Sequence, residues 1–199
     1  MLLRHRALIS CAALCGLAVA GRAAFLPSGA ELLPLKNGVT NVALGDNRLM
    51  VMLAHRENFN AHSYETASFY IQTTAAESDP QQWQIIAIEA KRENERWMNA
   101  IDVSGGADCQ LHTFRVLIDS ASKSVYLLCA DRAPGKSYAD EEAVTFTIYE
   151  LSFNANGDIG PSVAFFRQLR SDKAKKKYCD VDEALKAELD LAGAIAPKQ

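Results

Sequence analysis

Past residue 24 the chain has no apolar run that reaches the length of about 20 residues needed to span a bilayer, so no membrane helix is expected after that point. Cysteine is scarce, five in 199 residues, and two of the five, Cys11 and Cys15, fall inside the first twenty positions. No alternation of strand and helix patterns runs through the sequence, which excludes a doubly wound parallel sheet. No serine lies in a G-x-S-x-G turn, so the nucleophile elbow of the α/β-hydrolases is excluded too. There is no internal repeat and no low-complexity tract.

What is present begins with a leader. Arg4, His5 and Arg6 precede a short apolar run from Ala7 to Ala20, and Ala18-Val19-Ala20 supplies small residues for a signal peptidase. A cleaved secretory signal over residues 1–20 is expected, with the cut as late as residue 24, leaving residues 21–199 as a single soluble domain. Cys11 comes early in the apolar run and Cys15 follows Leu14, so neither fits a lipoprotein signal. Losing Arg4 and Arg6 takes the 21 basic residues to 19, against 24 acidic ones. The mature chain is then mildly acidic, and no nucleic-acid partner is expected. The basic group Arg167, Arg170, Lys173, Lys175, Lys176 and Lys177 reads as a solvated helix or loop face.

Strand patterns recur at short intervals through most of the chain. Arg48–Ala54 and Thr66–Thr74 flank a dense polar corner, residues 54–64, which is either a binding edge or a hydrogen-bonded fastening of the sheet. Phe25–Pro34 reads as an extended lead, or a short helix around residues 30–33. Trp83–Ala90, Arg96–Val103, Thr113–Ile118, Ser124–Ala130, Ala143–Phe153 and Ser162–Leu169 read as further strands. The pair around Asp119–Lys123 forms a hairpin, with Phe114, Val116 and Ile118 facing Val125, Leu127 and Cys129. A change of apolar phase between Ile148 and Tyr149 marks a bulge. Asp180 with Glu183 makes a capping-box pattern, and Val181, Leu185 and Leu189 recur at helical spacing, so residues 180–191 are expected to form a helix. The expected fold is all-β, an antiparallel β-sandwich closed by that C-terminal helix.

Three cysteines follow the leader: Cys109, Cys129 and Cys179. In an oxidising compartment they allow one disulfide and leave one thiol over. Cys109 and His112 have C-x-x-H spacing, but no second close pair completes a zinc site. His55, His62 and His112 match no zinc motif, and histidines that meet backbone carbonyls are the commoner case. Asn154–Asp158 resembles the opening of a calcium loop, yet Ile159 and Phe165 stand where glycine and glutamate belong, and an Asn-Gly turn explains the same residues. Oxygen-rich positions elsewhere, Asp131, Asp140 and Glu141, leave a structural cation without a located site. The loop 134–140 is the candidate binding edge, with Gly135, Ser137, Tyr138 and Asp140 supplying a bend, two hydroxyls and a carboxylate.

Four blocks together resemble the carbapenem intrinsic resistance (CarG-like) family: residues 57–64, with Glu57, Asn58, Asn60 and His62; Ser104–His112; Ser137–Asp140; and Tyr178–Val181 with the helix that follows. The resemblance implies a periplasmic, non-enzymatic protein that protects a Gram-negative cell from a carbapenem, and the first hypothesis for its route is binding, either to the drug or to a cell-wall enzyme the drug attacks. It also implies a β-sandwich with short terminal α-helices, a homodimer and a bound cation, with no required cofactor. Cys109 and Cys179 lie inside resembling blocks, which points to a disulfide between them and a free, buried Cys129. The family's fold is similar to that of periplasmic inhibitors of invertebrate-type lysozyme, whose inhibitory loop bears Ser, Gly and Tyr. Gly135, Ser137 and Tyr138 match that pattern in part, so a lysozyme is the alternative partner.

Overall fold

The computed structural model describes residues 25–60, 62–73, 82–92, 95–106 and 108–191. The signal segment and most of the loop expected over 77–82 lie outside the described residues. Twelve strands and one helix follow in order: β1 (Glu31–Leu33), β2 (Gly38–Leu44), β3 (Asn47–Arg56), β4 (Tyr64–Gln72), β5 (Gln84–Ile85), β6 (Ala87–Arg92), β7 (Glu95–Met98), β8 (Ile101–Gly105), β9 (Gln110–Asp119), β10 (Ser124–Arg132), β11 (Glu142–Phe153), β12 (Ala164–Tyr178) and α1 (Val181–Leu189). The all-β, sandwich-like fold expected from the strand spacing is observed.

One continuous sheet folds into two facing layers, with β2, β3 and β4 in the first and β9 to β12 in the second. β8 joins them on one side, pairing with β4 through Glu65↔Val103 and with β9 through Ser104↔His112. The other side is closed by residues 84–88. β5 pairs with β4, Ile86 N–H donates to the Phe69 carbonyl at 2.8 Å, and Ala87 and Ile88 then pair in parallel with Phe165 and Phe166 of β12. The hydrogen-bonded path therefore returns to its start. Every other strand pairing among the described residues is antiparallel.

Alternation dictates what fills the space between the layers. Leu49, Val51 and Leu53 of β3 and Ala67, Phe69 and Ile71 of β4 face inward, toward Phe114 and Val116, Val125 and Leu127, and Phe166. Phe69 meets Phe114 and Phe166 edge-on, at centroid separations of 6.1 and 5.2 Å, a geometry that aromatic quadrupoles favour. The expected hairpin register is present, with Ile118↔Val125, Val116↔Leu127 and Phe114↔Cys129.

The outer face of the second layer carries a second core. Leu117, Leu128, Val144, Phe146 and Ile148 are covered by Val181, Ala184, Leu185 and Leu189 of α1 and by Phe25. Asp180 caps the helix by accepting from Asp182 N–H at 2.7 Å, while Asp190, left-handed at φ 53°, closes the other end onto the carbonyls of Leu185 and Lys186. Arg115, 1 % exposed on this face, pairs with Asp182 at 2.8 Å and donates to Thr113 and to the Phe114 carbonyl.

Of the two readings of the segment around residues 30–33 the extended one holds: it contains a strand, β1, that pairs with β9, so the helix described is the C-terminal one. Three stretches differ from their sequence reading. Trp83–Ala90 holds two strands, β5 and β6, because they serve different neighbours, β4 and β12. The stretch 96–103 is two strands because β7 and β8 serve different neighbours, β6 and then β4 with β9. The basic group lies on β12 rather than on a helix or loop. That strand runs on to Tyr178 because β11 supplies backbone partners, with Thr145↔Lys173 and Ala143↔Lys177. The expected register shift at Ile148/Tyr149 is present, the extra residue being Leu169 of β12, which is exposed.

Phe69→Ala should lower unfolding free energy in urea by about 3–5 kcal/mol, whereas Leu169→Ala at the exposed bulge should change it by about 0.5 kcal/mol or less. Comparable losses would show that the inter-layer core is not where stability is concentrated.

Candidate functional site

The blocks that stand far apart in sequence meet at one end of the sandwich. The corner 57–63, the β8–β9 turn, the loop 134–140 and the junction of β12 with α1 form one surface. His62 Nδ1 lies 3.3 Å from the Gly105 carbonyl, and its ring lies 5.7 Å from that of Tyr138. Gly106 lies against the Tyr138 side chain, where a Cβ would stand 3.3 Å from it and Tyr138 would have to yield by a few tenths of an ångström. Cys109 and Cys179 form a disulfide, with Cα atoms 5.6 Å apart, that ties the turn to the helix junction, and Cys129 is a buried free thiol. Burial pushes that thiol's pKa well up, and the nearby Asp131 charge adds to the effect.

The loop 134–140 is held from below by one guanidinium. Arg132 Nη1 donates to the carbonyls of Tyr138 at 2.8 Å, Asp140 at 2.5 Å and Cys179 at 3.2 Å, and Nη2 reaches the Ser137 carbonyl at 3.4 Å. Asp140 holds it from within. Its Oδ2 accepts from the N–H groups of Lys136 and Ser137 at 2.6 and 2.8 Å, and its Oδ1 from Ser137 Oγ at 3.1 Å. Those bonds, the Ser137 backbone one foremost, hold the Asp140 pKa below its ordinary 3.8. Gly135 belongs to the same knot, because a Cβ there would meet Asp140 at 2.8 Å. Ser137 and Asp140 are thus occupied in shaping the loop, and Tyr138, half exposed, is the side chain left to present.

The corner is built the same way. Glu57 Oε1 accepts from Phe59 N–H and Ser63 Oγ, both at 2.6 Å, Asn58 Nδ2 donates to the His62 carbonyl at 2.9 Å, and Asn60 Oδ1 accepts from His62 N–H at 2.8 Å. The Ser63 and Phe59 bonds, in that order, keep the Glu57 pKa below its ordinary 4.5. The corner fastens itself and is exposed, so it does not plug the core. Its result is the display of Phe59, held at φ 56° and 94 % exposed. Phe59 is the functional candidate that sequence reading missed. Its signal was the apolar side chain amid polar neighbours, which pattern matching assigned to the loop as a whole.

The three described histidines do not converge. His55 lies 3.6 Å from Glu57 and 3.4 Å from Glu65, His62 faces Gly105, and His112 pairs with Asp131 across β9 and β10. Among the described residues no group of three or more His, Cys, Asp or Glu is placed to hold a metal ion. Asn154 uses its side chain to bond the Asp158 N–H and carbonyl across a turn with Gly157 at φ 67°, as the Asn-Gly reading expected. Ser120 and Lys123 have bare S-x-x-K spacing. They lie in the β9–β10 turn, where Lys123 reaches toward Gly45 and the neighbouring Ser122 Oγ donates to Asp119.

Together these features define a closed β-sandwich carrying a cross-linked cluster of loops at one end. The chain matches no protein-family model and no curated protein. Among solved structures it is similar to one described as the crystal structure of CarG, at 21 % identity and a TM-score of 0.61, covering 79 % of this chain and 94 % of that one. At that identity the likeness establishes a shared fold.

Two expectations follow. Arg132→Met should destabilise the protein by about 2–3 kcal/mol, since four carbonyls lose a charged donor, and should speed amide exchange through 134–140; unchanged exchange would refute the fastening role. Glu57 and Asp140 have lowered folded-state pKa values, so their contribution is present above the ordinary values of 4.5 and 3.8 and is lost as pH falls through the folded ones. An acid titration followed by NMR should release the Phe59 and Ser137 amides in that window, before the Phe69 core resonances change.

Proposed function

We propose that this is a periplasmic, non-enzymatic binding protein that protects a Gram-negative cell against a carbapenem, acting on the drug or on a cell-wall enzyme the drug attacks. The observation that carries the reading is the meeting of all four resembling blocks on one surface, cross-linked by the disulfide and by Arg132. The shared fold with CarG supports it. Hydrogen-bonded loops presenting Tyr138 and Phe59 suit recognition, because little loop entropy is left to lose on binding. On this reading the protein works as a homodimer and requires no cofactor.

Inhibition of an invertebrate-type lysozyme through loop 134–140 is the second reading. It is weakened by the inward turn of Ser137 Oγ, which bonds Asp140 and the Ala139 N–H.

The test is the carbapenem minimum inhibitory concentration of a susceptible Gram-negative host expressing the precursor, beside a form lacking residues 2–20. Protection that needs the leader, and that is lost in Tyr138→Ala or Phe59→Ser at unchanged melting temperature, is expected. An exported, folded protein that does not protect would overturn the proposal, and inhibition of a purified invertebrate-type lysozyme would then be measured.

A further inference from the structure

The two layers do not meet evenly. Between the β6–β7 hairpin and the ends of β8, β9 and β10 lies an open cleft of about 450 Å³, within the range of about 300–1,000 Å³ typical of small-molecule sites. Its floor is apolar, with Ile88, Met98 and Tyr149, and its mouth carries Asp102, His112 and Asp131. Mouths of closed β structures are a recurrent place for small ligands, since the last inward-facing positions have no opposite layer to fill them.

The chemistry of the lining selects a charge. Arg132 borders the cleft, but its guanidinium is turned to the carbonyls of Ser137, Tyr138, Asp140 and Cys179. Its terminal nitrogens are directed to the loop. His112 spends Nδ1 on one oxygen of Asp131. The second Asp131 oxygen and the Asp102 carboxylate take no partner among the described residues, and Asp131 is 53 % exposed at the mouth. Deeper in, the Tyr149 hydroxyl also has no partner among the described residues, although its ring packs against the core. A half-buried phenol ordinarily finds one. The cleft thus combines an apolar floor, an unpaired phenol and two carboxylates, and among the described residues that line it no lysine or arginine other than Arg132 faces them.

We infer that this cleft is a binding site for a small organic ammonium ion with a flat apolar body, its amine held by Asp131 and Asp102 and its body laid on Met98, Ile88 and Tyr149. The cleft adjoins the loop cluster, sharing Arg132 and part of the block Ser104–His112 with it, but the inference uses neither Tyr138 nor Phe59, and its probes are read without reference to protection.

The test uses the full mature protein and three probes of one shape: 2-phenylethylammonium, 2-phenylethanol and 3-phenylpropionate. Titration is followed by amide and methyl NMR. The ammonium should shift Met98, Ala100, His112 and Cys129 and bind at least about tenfold more tightly than the other two, as expected when a charge is matched. Asp131→Asn should cost about tenfold in affinity for the ammonium alone. Asp102→Asn gives the same readout should the first variant fold poorly, and Ala100→Phe should block all three probes without changing any charge. Equal binding of the three probes, unchanged affinity in both Asn variants, shifts confined to a second cleft lined by Leu33, Val42, Ile118 and Lys123, or no shifts at millimolar probe would each overturn the inference.

Discussion

The constraint on which the rest depends is the closure of the sheet by residues 84–88. A strand that pairs with β4, gives one hydrogen bond from Ile86 to Phe69 and then pairs with β12 commits both layers to a fixed separation. That separation is set by Phe69, wedged edge-on between Phe114 and Phe166. Without the crossing, β12 would keep a second bare edge next to its core residues, and unpaired edges template association with other chains. Beyond Phe166 the strand still runs past β6, and there it carries Lys173, Lys175, Lys176 and Lys177. Charged side chains of that kind keep an open edge soluble. The basic group has a structural reason without any anionic partner.

The strands that alternate cleanly were legible. β3, β4, β9 and β10 sit within a few residues of their expected bounds because one face of each is apolar and the turns between them are rich in Gly, Asn and Asp. The helix was legible through its cap and its spacing. Where reading failed, pairing overrode propensity. Residues 170–178 are strand only because β11 lies beside them, and nothing in Ser171-Asp172-Lys173-Ala174-Lys175 records that. Likewise Arg96–Val103 divides at residues 99–100 because two different neighbours claim its halves, a fact held by the topology and not by the local pattern.

The site was legible as separate pieces. Loops 57–64 and 134–140 stood out by polar density and by Gly135 and Tyr138, and the Cys109–Cys179 link followed from the resemblance of their surroundings. What sequence could not give was their adjacency, since more than forty residues separate His62 from Gly105. Nor could it say which polar groups face outward. Ser137, Asp140, Asn60 and Glu57 look like ligands in a sequence and prove to be the internal hydrogen bonds of their own loops. The groups left for a partner are the less conspicuous ones, Phe59 and Tyr138.

The loop cluster and the cleft share one structural origin, the end of β10. Successive residues of a strand point to opposite faces, so Asp131 enters the cleft while Arg132, next in the chain, turns to the other face and collects the carbonyls of the loop and of Cys179. The disulfide strengthens the arrangement, because Cys179 brings the helix junction to the same guanidinium. A buried cation whose terminal nitrogens are turned to backbone carbonyls leaves its acidic neighbour across the strand with His112 as its partner. The loop surface is fastened and the cleft is lined by carboxylates for the same reason: the charge of Arg132 is committed to holding the loop.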